Sequence, residues 1–366
     1  MNFSVKPAIT SADSLLDFFR EWQVGAKDLI VTNAYVLQPA LKGEAVPCDV
    51  LYQENYGQGE PSDEMVDAML AAIDGKDYER IIAVGGGTVI DIAKLFVFGD
   101  DLRCEEIFDR GANLSRKRKL LIIPTTCGTG SEVTGISIIG FVKKDTKIGL
   151  AVPALFPDEA VLIGSMLSTL PYEVFATSSI DALIHAVESY VSPKANAFTR
   201  SMGRSAIEMI LRGYGQLAAT GKRDLPEDMQ PYLEASTMAG IAFGNAGCAA
   251  VHALSYPIGG GYHVPHGKAN YMVFQAVFAA YRRKGADLSP LEDVLTGVLG
   301  DGDVWRELFD LLGKVYDNQT LGSLGADRDK CAEMAASVVA NQQRLLGNNP
   351  VELTQEDIRE IFESCL

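Results

Sequence analysis

Histidine is scarce in this chain. Of 366 residues only four are histidines, and all of them, His185, His252, His263 and His266, lie between positions 185 and 266. Long apolar runs are missing too: none approaches the ~20 residues that span a bilayer, so no membrane segment is expected. The opening residues, MNFSVKPAITSADS, lack a basic start followed by an apolar stretch and do not read as a secretory signal. The chain is therefore expected in the cytoplasm. Basic residues are outnumbered, 32 against 48 acidic ones, for a formal net charge of −16. That balance argues against nucleic acid or an anionic membrane as partner, because both reward basic patches. Six cysteines (Cys48, Cys104, Cys127, Cys248, Cys331, Cys365) show no CxxC and no paired spacing. They suit free thiols in a reducing compartment, and none reads as a metal ligand. Internal repeats and low-complexity linkers are absent as well.

What is present is the composition of an ordinary globular enzyme, 47% apolar and 22% charged. The length suits two domains of roughly 150 to 200 residues each. A short extended segment near the N-terminus leads to a helix carrying Leu15, Leu16, Phe18 and Phe19, with Ser11 as its expected cap. The runs DLIVT from Asp28 and CDVLYQ from Cys48 read as strands around a helix. A helix over Glu60 to Asp74 and a fully apolar strand, RIIAV from Arg80, follow. Alternation of this kind indicates an α/β layer with a parallel sheet. GISIIGFVKKDTKIGLAV reads as a hairpin turning at Lys143 to Thr146, and PDEAVLIG as one more strand. Beyond about Gly164 the period becomes helical throughout and ends in a helix capped by the Thr354/Asp357 box. The expected division is an α/β domain over 1–164 and an all-helical domain over 165–366.

Two strand ends carry ligand-binding chemistry. RIIAV runs into GGGTVIDIAK, where Gly85, Gly86 and Gly87 let backbone N–H groups approach an anion at a helix N-terminus. A glycine triplet alone equally marks a tight turn, and Asp91 and Lys94, one turn apart, read by default as a solvated pair. The strand KLLIIP opens into TTCGTGSEVTG, offering Thr125, Thr126, Thr129 and Ser131 hydroxyls at the sheet edge where α/β ligands bind. In SSIDALIHAVESY, the i, i+4 spacing puts Asp181 and His185 on one helical face. His252 opens HALSYPIGGGYHVPHGKAN, and its glycines and Pro265 read as a loop that His266 closes. One carboxylate with three neutral imidazoles, Asp181, His185, His252 and His266, suits a divalent cation, iron(II) or zinc, with a position left open for substrate. The competing view is a helix pair with three unrelated loop histidines.

Together these motifs resemble the iron-containing, or group III, alcohol dehydrogenases. GGGTVIDIAK is similar to that family's GGG[ST]xxDxAK loop, PTTCGTGSEVT to its PTTxGTGSE loop, and Asp181, His185, His252 and His266 to its metal ligands in order. The resemblance implies an α/β nucleotide-binding N-terminal domain and an all-α metal-binding C-terminal domain, a dehydroquinate synthase-like plan with a cleft between. It implies NAD as cofactor beside one divalent metal, iron(II) before zinc. Gly85, Gly86, Gly87 and Thr88 would hold the pyrophosphate and Asp91 belongs to the same motif. Thr125, Thr126, Thr129 and Lys147 would be further cofactor contacts. Asn33 stands where many relatives have an adenosine-reading Asp. Tyr256 stands where some carry a histidine proposed in proton transfer, and His263 is an extra histidine; both are candidate catalytic residues. HALSYPIGGGYHVPHG and NNPVELTQEDI are most similar to members that act on 4-hydroxybutyrate, so the expected substrate is a small alcohol or hydroxy acid. Alternatives are a general alcohol, diol or glycerol dehydrogenase, a dehydroquinate synthase-like lyase, and a non-catalytic metal-binding protein. A homodimer or higher homo-oligomer is expected.

Overall fold

The computed structural model describes residues 3–99, 101–144 and 146–366. The chain divides into two compact units, one of Val5–Leu170 with Glu227–Leu233, the other chiefly Pro171–Pro226 and Glu234–Leu366.

The first unit holds every described strand: β1 (Ala8–Ser11), β2 (Asp28–Thr32), β3 (Asp49–Tyr52), β4 (Arg80–Gly85), β5 (Lys119–Pro124), β6 (Ile136–Phe141), β7 (Thr146–Ala151) and β8 (Glu159–Leu162). Six form one sheet in the order β1-β8-β5-β4-β2-β3, parallel at every pairing. The apolar runs explain the centre. Ile81 to Val84 and Leu120 to Ile123 are buried on both faces, as strands of a covered parallel sheet must be. Val89, Ile92 and Phe96, from the helix Gly87–Leu95 and the turn after it, belong to the apolar layer that packs there. From β2 the chain moves outward to β3, then returns to place β4 on the other side of β2 and β5 beyond it. The strand order therefore reverses between β2 and β4, and open α/β sheets bind ligands outside the carboxyl ends of strands at such a point. β6 and β7 form the expected antiparallel hairpin, with Ile136 opposite Ala151; residue 145 of its turn lies outside the described residues.

One expected cap moves. Ser11 ends β1, and Ser14 caps the helix Leu15–Glu21, its hydroxyl accepting from Asp17 N at 3.2 Å. Three residues from cap oxygen to N–H is the reach that capping requires, which Ser11 could not meet.

In the second unit the described secondary structure is helical. Its last helix, Gln355–Glu363, has the expected reciprocal box: Asp357 N donates to Thr354 Oγ1 at 3.2 Å and Thr354 N donates to Asp357 Oδ2 at 2.7 Å. The glycine-rich run after His252 departs from expectation. It is the helix Ala250–Tyr262, with Pro257 inside, and it stops where His263 takes the left-handed conformation at φ 54°. Glycine's intrinsic cost in a helix is about 1 kcal/mol per residue. The buried face of Val251, His252, Leu254, Ser255 and Ile258 outweighs it. No single helix among the described residues is long and apolar enough to cross a membrane.

Candidate metal centre and nucleotide cradle

Three helices of the second unit bring the ligand set together. Asp181 and His185 lie on the helix Tyr172–Val191, His252 in the first turn of Ala250–Tyr262, and His266 at the start of His266–Arg283. One donor atom from each of the four lies within 4.8 Å of all the others. The Asp181 carboxylate is central: Oδ2 is 3.9 Å from His185 Nδ1, and Oδ1 is 3.7 Å from His252 Nε2 and 3.8 Å from His266 Nε2. Asp181, His185 and His252 are buried and His266 is half-buried. The ring of His185 stacks between Phe243, at 4.3 Å, and His252, at 4.4 Å. Close approach of two helices makes the cluster possible. A Cβ on Gly267 would collide with the Thr177 carbonyl oxygen, so the residue after His266 must be small for His266 to reach Asp181.

The donor set fits a cation on an observation of its own. His252 Nε2 is buried with no hydrogen-bond partner, an expensive state for a polar atom unless something binds there. The opposite nitrogen explains its state. His252 Nδ1 lies 2.6 Å from Glu188 Oε2, and a carboxylate can only accept, so Nδ1 carries a proton and Nε2 is the nitrogen turned to the other ligands, where a cation would take its lone pair. Glu188 is itself fully buried and fixed by N–H donors from Ala249 at 3.1 Å and Val251 at 2.6 Å. This is the carboxylate–histidine arrangement that orients metal ligands. Asn270 adds a second support, donating from Nδ2 to Asp181 Oδ1 at 2.6 Å and lying 3.1 Å from His266 Nε2. Burial works to raise the Asp181 pKa, but the three imidazoles and the Asn270 N–H more than offset it, so the group stays below its ordinary value as a carboxylate.

Glu188 and Asn270 are absent from the ligand pattern read in the sequence, although the spacing carried a signal. Asn270 is four residues after His266, on the face of the ligand it touches, and Glu188 is three after His185, on the face of that helix that meets His252. Of the two candidate catalytic residues, Tyr256 has its ring 6.4 Å from that of His266. Burial raises its pKa, keeping the hydroxyl protonated. His263 is exposed and outside the four-ligand group.

In the first unit, Gly86 is the N-cap of Gly87–Leu95 and no side chain caps that helix, so the N–H groups of its first turn are not taken up by a capping side chain. A Cβ on Gly86 would lie 3.2 Å from Thr126 Cγ2, and one on Gly87 3.2 Å from Thr129 Cγ2. The two motif loops thus face each other across a gap only glycine keeps open. Thr125 N donates to Gly85 O at 3.1 Å, and Thr88 Oγ1 donates to Gly59 O at 3.2 Å. Lys147 is exposed and ion-paired with Glu60.

The solvated Asp91/Lys94 pair is corrected. Lys94 is 0% exposed, its ammonium donating to Ser131 Oγ at 2.7 Å, Thr134 Oγ1 at 3.3 Å and Ile136 O at 2.6 Å. Asp91 accepts from Ser131 Oγ at 2.7 Å and Ile138 N at 3.0 Å. The pair ties the second threonine-rich loop to the glycine-loop helix. Burial pushes Lys94 down to about 8 from its ordinary 10.5. Between those values the unfolded chain holds a proton that the folded chain has lost, so this group's contribution to stability rises with pH across that window. Lys94→Met is expected to lose that rise, read as the difference in Tm between variant and wild type from pH 7.5 to 10. Parallel Tm profiles for the two proteins would show that Lys94 does not titrate there.

Comparison with known proteins agrees with this arrangement. The model of the iron-containing alcohol dehydrogenases matches residues 10–163, and that of the C-terminal region of the same family matches 175–366. The chain belongs to the iron-containing alcohol dehydrogenase family. It is an oxidoreductase acting on alcohol groups. Among curated members of the iron-containing alcohol dehydrogenases it is 42% identical over 356 residues to 4-hydroxybutyrate dehydrogenase of Clostridium kluyveri, covering 96% of each chain. It is 32% identical to long-chain-alcohol dehydrogenase 1 of Geobacillus thermodenitrificans, covering 94% of this chain and 90% of that one. Solved structures share the fold. Sulfoacetaldehyde reductase from Bifidobacterium kashiwanohense in complex with NAD+ superposes with a TM-score of 0.86 at 21% identity, covering 100% of this chain and 98% of that one. A 1,3-propanediol oxidoreductase gives 0.84 at 22%, covering 100% and 99%.

Proposed function

We propose that this protein is a metal- and NAD-dependent dehydrogenase interconverting 4-hydroxybutyrate and succinate semialdehyde. The observation that carries the metal dependence is the unpartnered Nε2 of His252, turned by the Glu188 contact at Nδ1 to face one carboxylate and two further imidazoles. The similarity to the Clostridium kluyveri enzyme supports the substrate. In this reading residues 1–164 hold the nucleotide through Asn33, Gly85, Gly86, Gly87, Thr88, Asp91, Thr125, Thr126, Thr129 and Lys147, and residues 165–366 hold iron(II), or zinc, through Asp181, His185, His252 and His266. When bound, the cation supplies Lewis acidity to the alcohol or carbonyl oxygen and the nicotinamide accepts or returns the hydride.

The chain's own residues do the rest. Asp181 supplies the one negative charge of the ligand set, which leaves a divalent site net positive. Glu188 and Asn270 hold His252, Asp181 and His266 in orientation, so nothing need reorganise during turnover. Tyr256 keeps its proton on the phenol oxygen, has its ring 6.4 Å from that of His266, and is the proposed group for passing the reaction's proton toward solvent. His263 is the proposed donor to the substrate carboxylate, three methylenes from the reacting oxygen, with Tyr256 and Lys268 as substitutes. Its backbone favours that role: a non-glycine residue at φ 54° costs free energy where glycine would not. Lys268 is less available, its ammonium 3.6 Å from Glu173. The six cysteines form no disulfide, which supports a cytoplasmic protein, and we place it there as a homo-oligomer.

A site built for a carboxylate rejects the analogue lacking one. Wild type loaded with metal and NAD is expected to turn over 4-hydroxybutyrate with kcat/KM about a hundredfold above 1-butanol, with 1,4-butanediol between. His263→Ala is expected to retain its metal and lose about tenfold on the hydroxy acid, the worth of one charge-assisted bond, with 1-butanol unchanged. Equal use of 1-butanol and 4-hydroxybutyrate by wild type would mean that no carboxylate pocket exists.

A further inference from the structure

At the strand-order reversal the chain carries a second polar cluster, next to the glycine cradle. Thr32 of β2 pairs with Val84 of β4, so Asn33 emerges beside Gly85. Tyr52 of β3 pairs with Thr32 on the other side, so Gln53 and Glu54 emerge at the same edge. By position Asn33 is the N-cap of the helix Ala34–Leu41, and asparagine is a favoured cap, yet its side chain makes no capping bond. It turns the other way. Asn33 Nδ2 donates to Glu54 Oε2 at 2.8 Å and to Gln53 Oε1 at 3.0 Å. Glu54 Oε1 takes over the helix end, accepting from Ala34 N at 2.6 Å. Asn33 and Gln53 are buried and Glu54 is half-buried. Both partners of the Glu54 carboxylate are uncharged N–H donors, so the cluster leaves its negative charge in place at the strand edge.

We infer that Glu54, positioned by Asn33, is the carboxylate that reads the adenosine ribose and sets the preference for NAD over NADP. The inference rests on the NAD-dependent reading above. A ribose presents two adjacent hydroxyl donors and needs an acceptor. Asn33 has spent both amide hydrogens on Glu54 and Gln53, and its Oδ1, though an acceptor, carries no charge with which to strengthen a bond from the ribose or to repel a 2′-phosphate. Glu54 has about four lone-pair positions, of which two are used, and is pinned at both oxygens. A phosphate on the 2′ oxygen, near −1.5 to −2 at pH 7, would meet that carboxylate as a like charge. Tyr35, two residues past Asn33, is 70% exposed and lies within electrostatic reach of Glu54, offering an aromatic face for the adenine beside the ribose.

The competing role for Glu54 is to cap the Ala34–Leu41 helix and nothing more, and the substitutions separate the two. Glu54→Gln keeps an oxygen for Ala34 N and removes the charge, at the cost of the bond from Asn33, whose Nδ2 then faces a second donor; Glu54→Asp keeps the charge. Binding of NADH and NADPH is measured by fluorescence titration without substrate, alongside Tm. Wild type is expected to bind NADH at least about tenfold more tightly than NADPH, one to two charge-assisted interactions' worth. Glu54→Gln is expected to weaken NADH about tenfold and bring the two dissociation constants within about threefold of each other. Glu54→Asp should preserve the preference. A lowered Tm with an unchanged ratio in Glu54→Gln, or loss of the preference in Glu54→Asp, would reduce Glu54 to a cap and overturn the inference. Wild type that binds neither nucleotide, or that prefers NADPH, would overturn the NAD-dependent reading itself; the Glu54→Gln and Glu54→Asp outcomes above bear on Glu54 alone.

Discussion

His252→Ala is expected to emerge from purification without its metal and without measurable turnover, and Glu188→Gln to lose about ten- to a hundredfold in metal affinity. The two effects share one atom. In the wild type the Glu188 carboxylate accepts from His252 Nδ1 at 2.6 Å, which keeps Nε2 bare. Glutamine presents an amide N–H as well as a carbonyl. Once the amide donates to Nδ1, the imidazole proton moves to Nε2, where it points at the other ligands and blocks coordination. Removing the ring outright deletes a donor and leaves two imidazoles around the buried Asp181 carboxylate. Metal content after gel filtration, compared with metal titration of the apo forms, reads both variants. Full occupancy and wild-type affinity in Glu188→Gln would show that the tautomer is fixed by something else.

Gly86→Val is expected to weaken NADH binding on the order of a hundredfold while leaving metal content unchanged. The backbone is not the reason, since Gly86 has extended torsions, φ −82° and ψ −172°, that any residue adopts. Space is the reason. Even a bare Cβ would sit 3.2 Å from Thr126 Cγ2, and the two further valine methyl groups occupy the opening through which a phosphate reaches the helix N–H groups. Gly86→Ala should fall between valine and wild type, because Thr126 must give by only a few tenths of an ångström. Titration of NADH against the three proteins tests the order. Unchanged binding in Gly86→Val would place the pyrophosphate elsewhere.

Much of this was legible in the residues because the signals are local. RIIAV and KLLIIP are apolar at every position after a basic first residue and bounded by glycine or proline, which leaves buried parallel strands as their natural state. Asp181 and His185 share a helical face by spacing alone, and Thr354 with Asp357 specifies a helix start within four residues. The sequence also supplied the order Asp181, His185, His252, His266, since a ligand set needs only its residue types and elements able to converge.

Tertiary structure decided what depends on partners distant in the chain. Lys94 looks solvated beside Asp91 until Ser131, Thr134 and Ile136 enclose its ammonium, because helical periodicity cannot report what packs over a face. The glycines after His252 read as a loop by propensity, yet burial of the opposite face holds them in a helix. Gly267 gains its meaning only from the Thr177 carbonyl against it. Glu188 is an ordinary acidic residue of an amphipathic helix until Ala249, Val251 and His252 surround it. Asn33 has the identity and position of a helix cap, and only the emergence of Glu54 from the neighbouring strand turns its amide away. In each case the sequence determined which groups were available. The free energy of burying them left an arrangement in which these groups are satisfied and, at the centre of the ligand set, His252 Nε2 is without a hydrogen-bond partner.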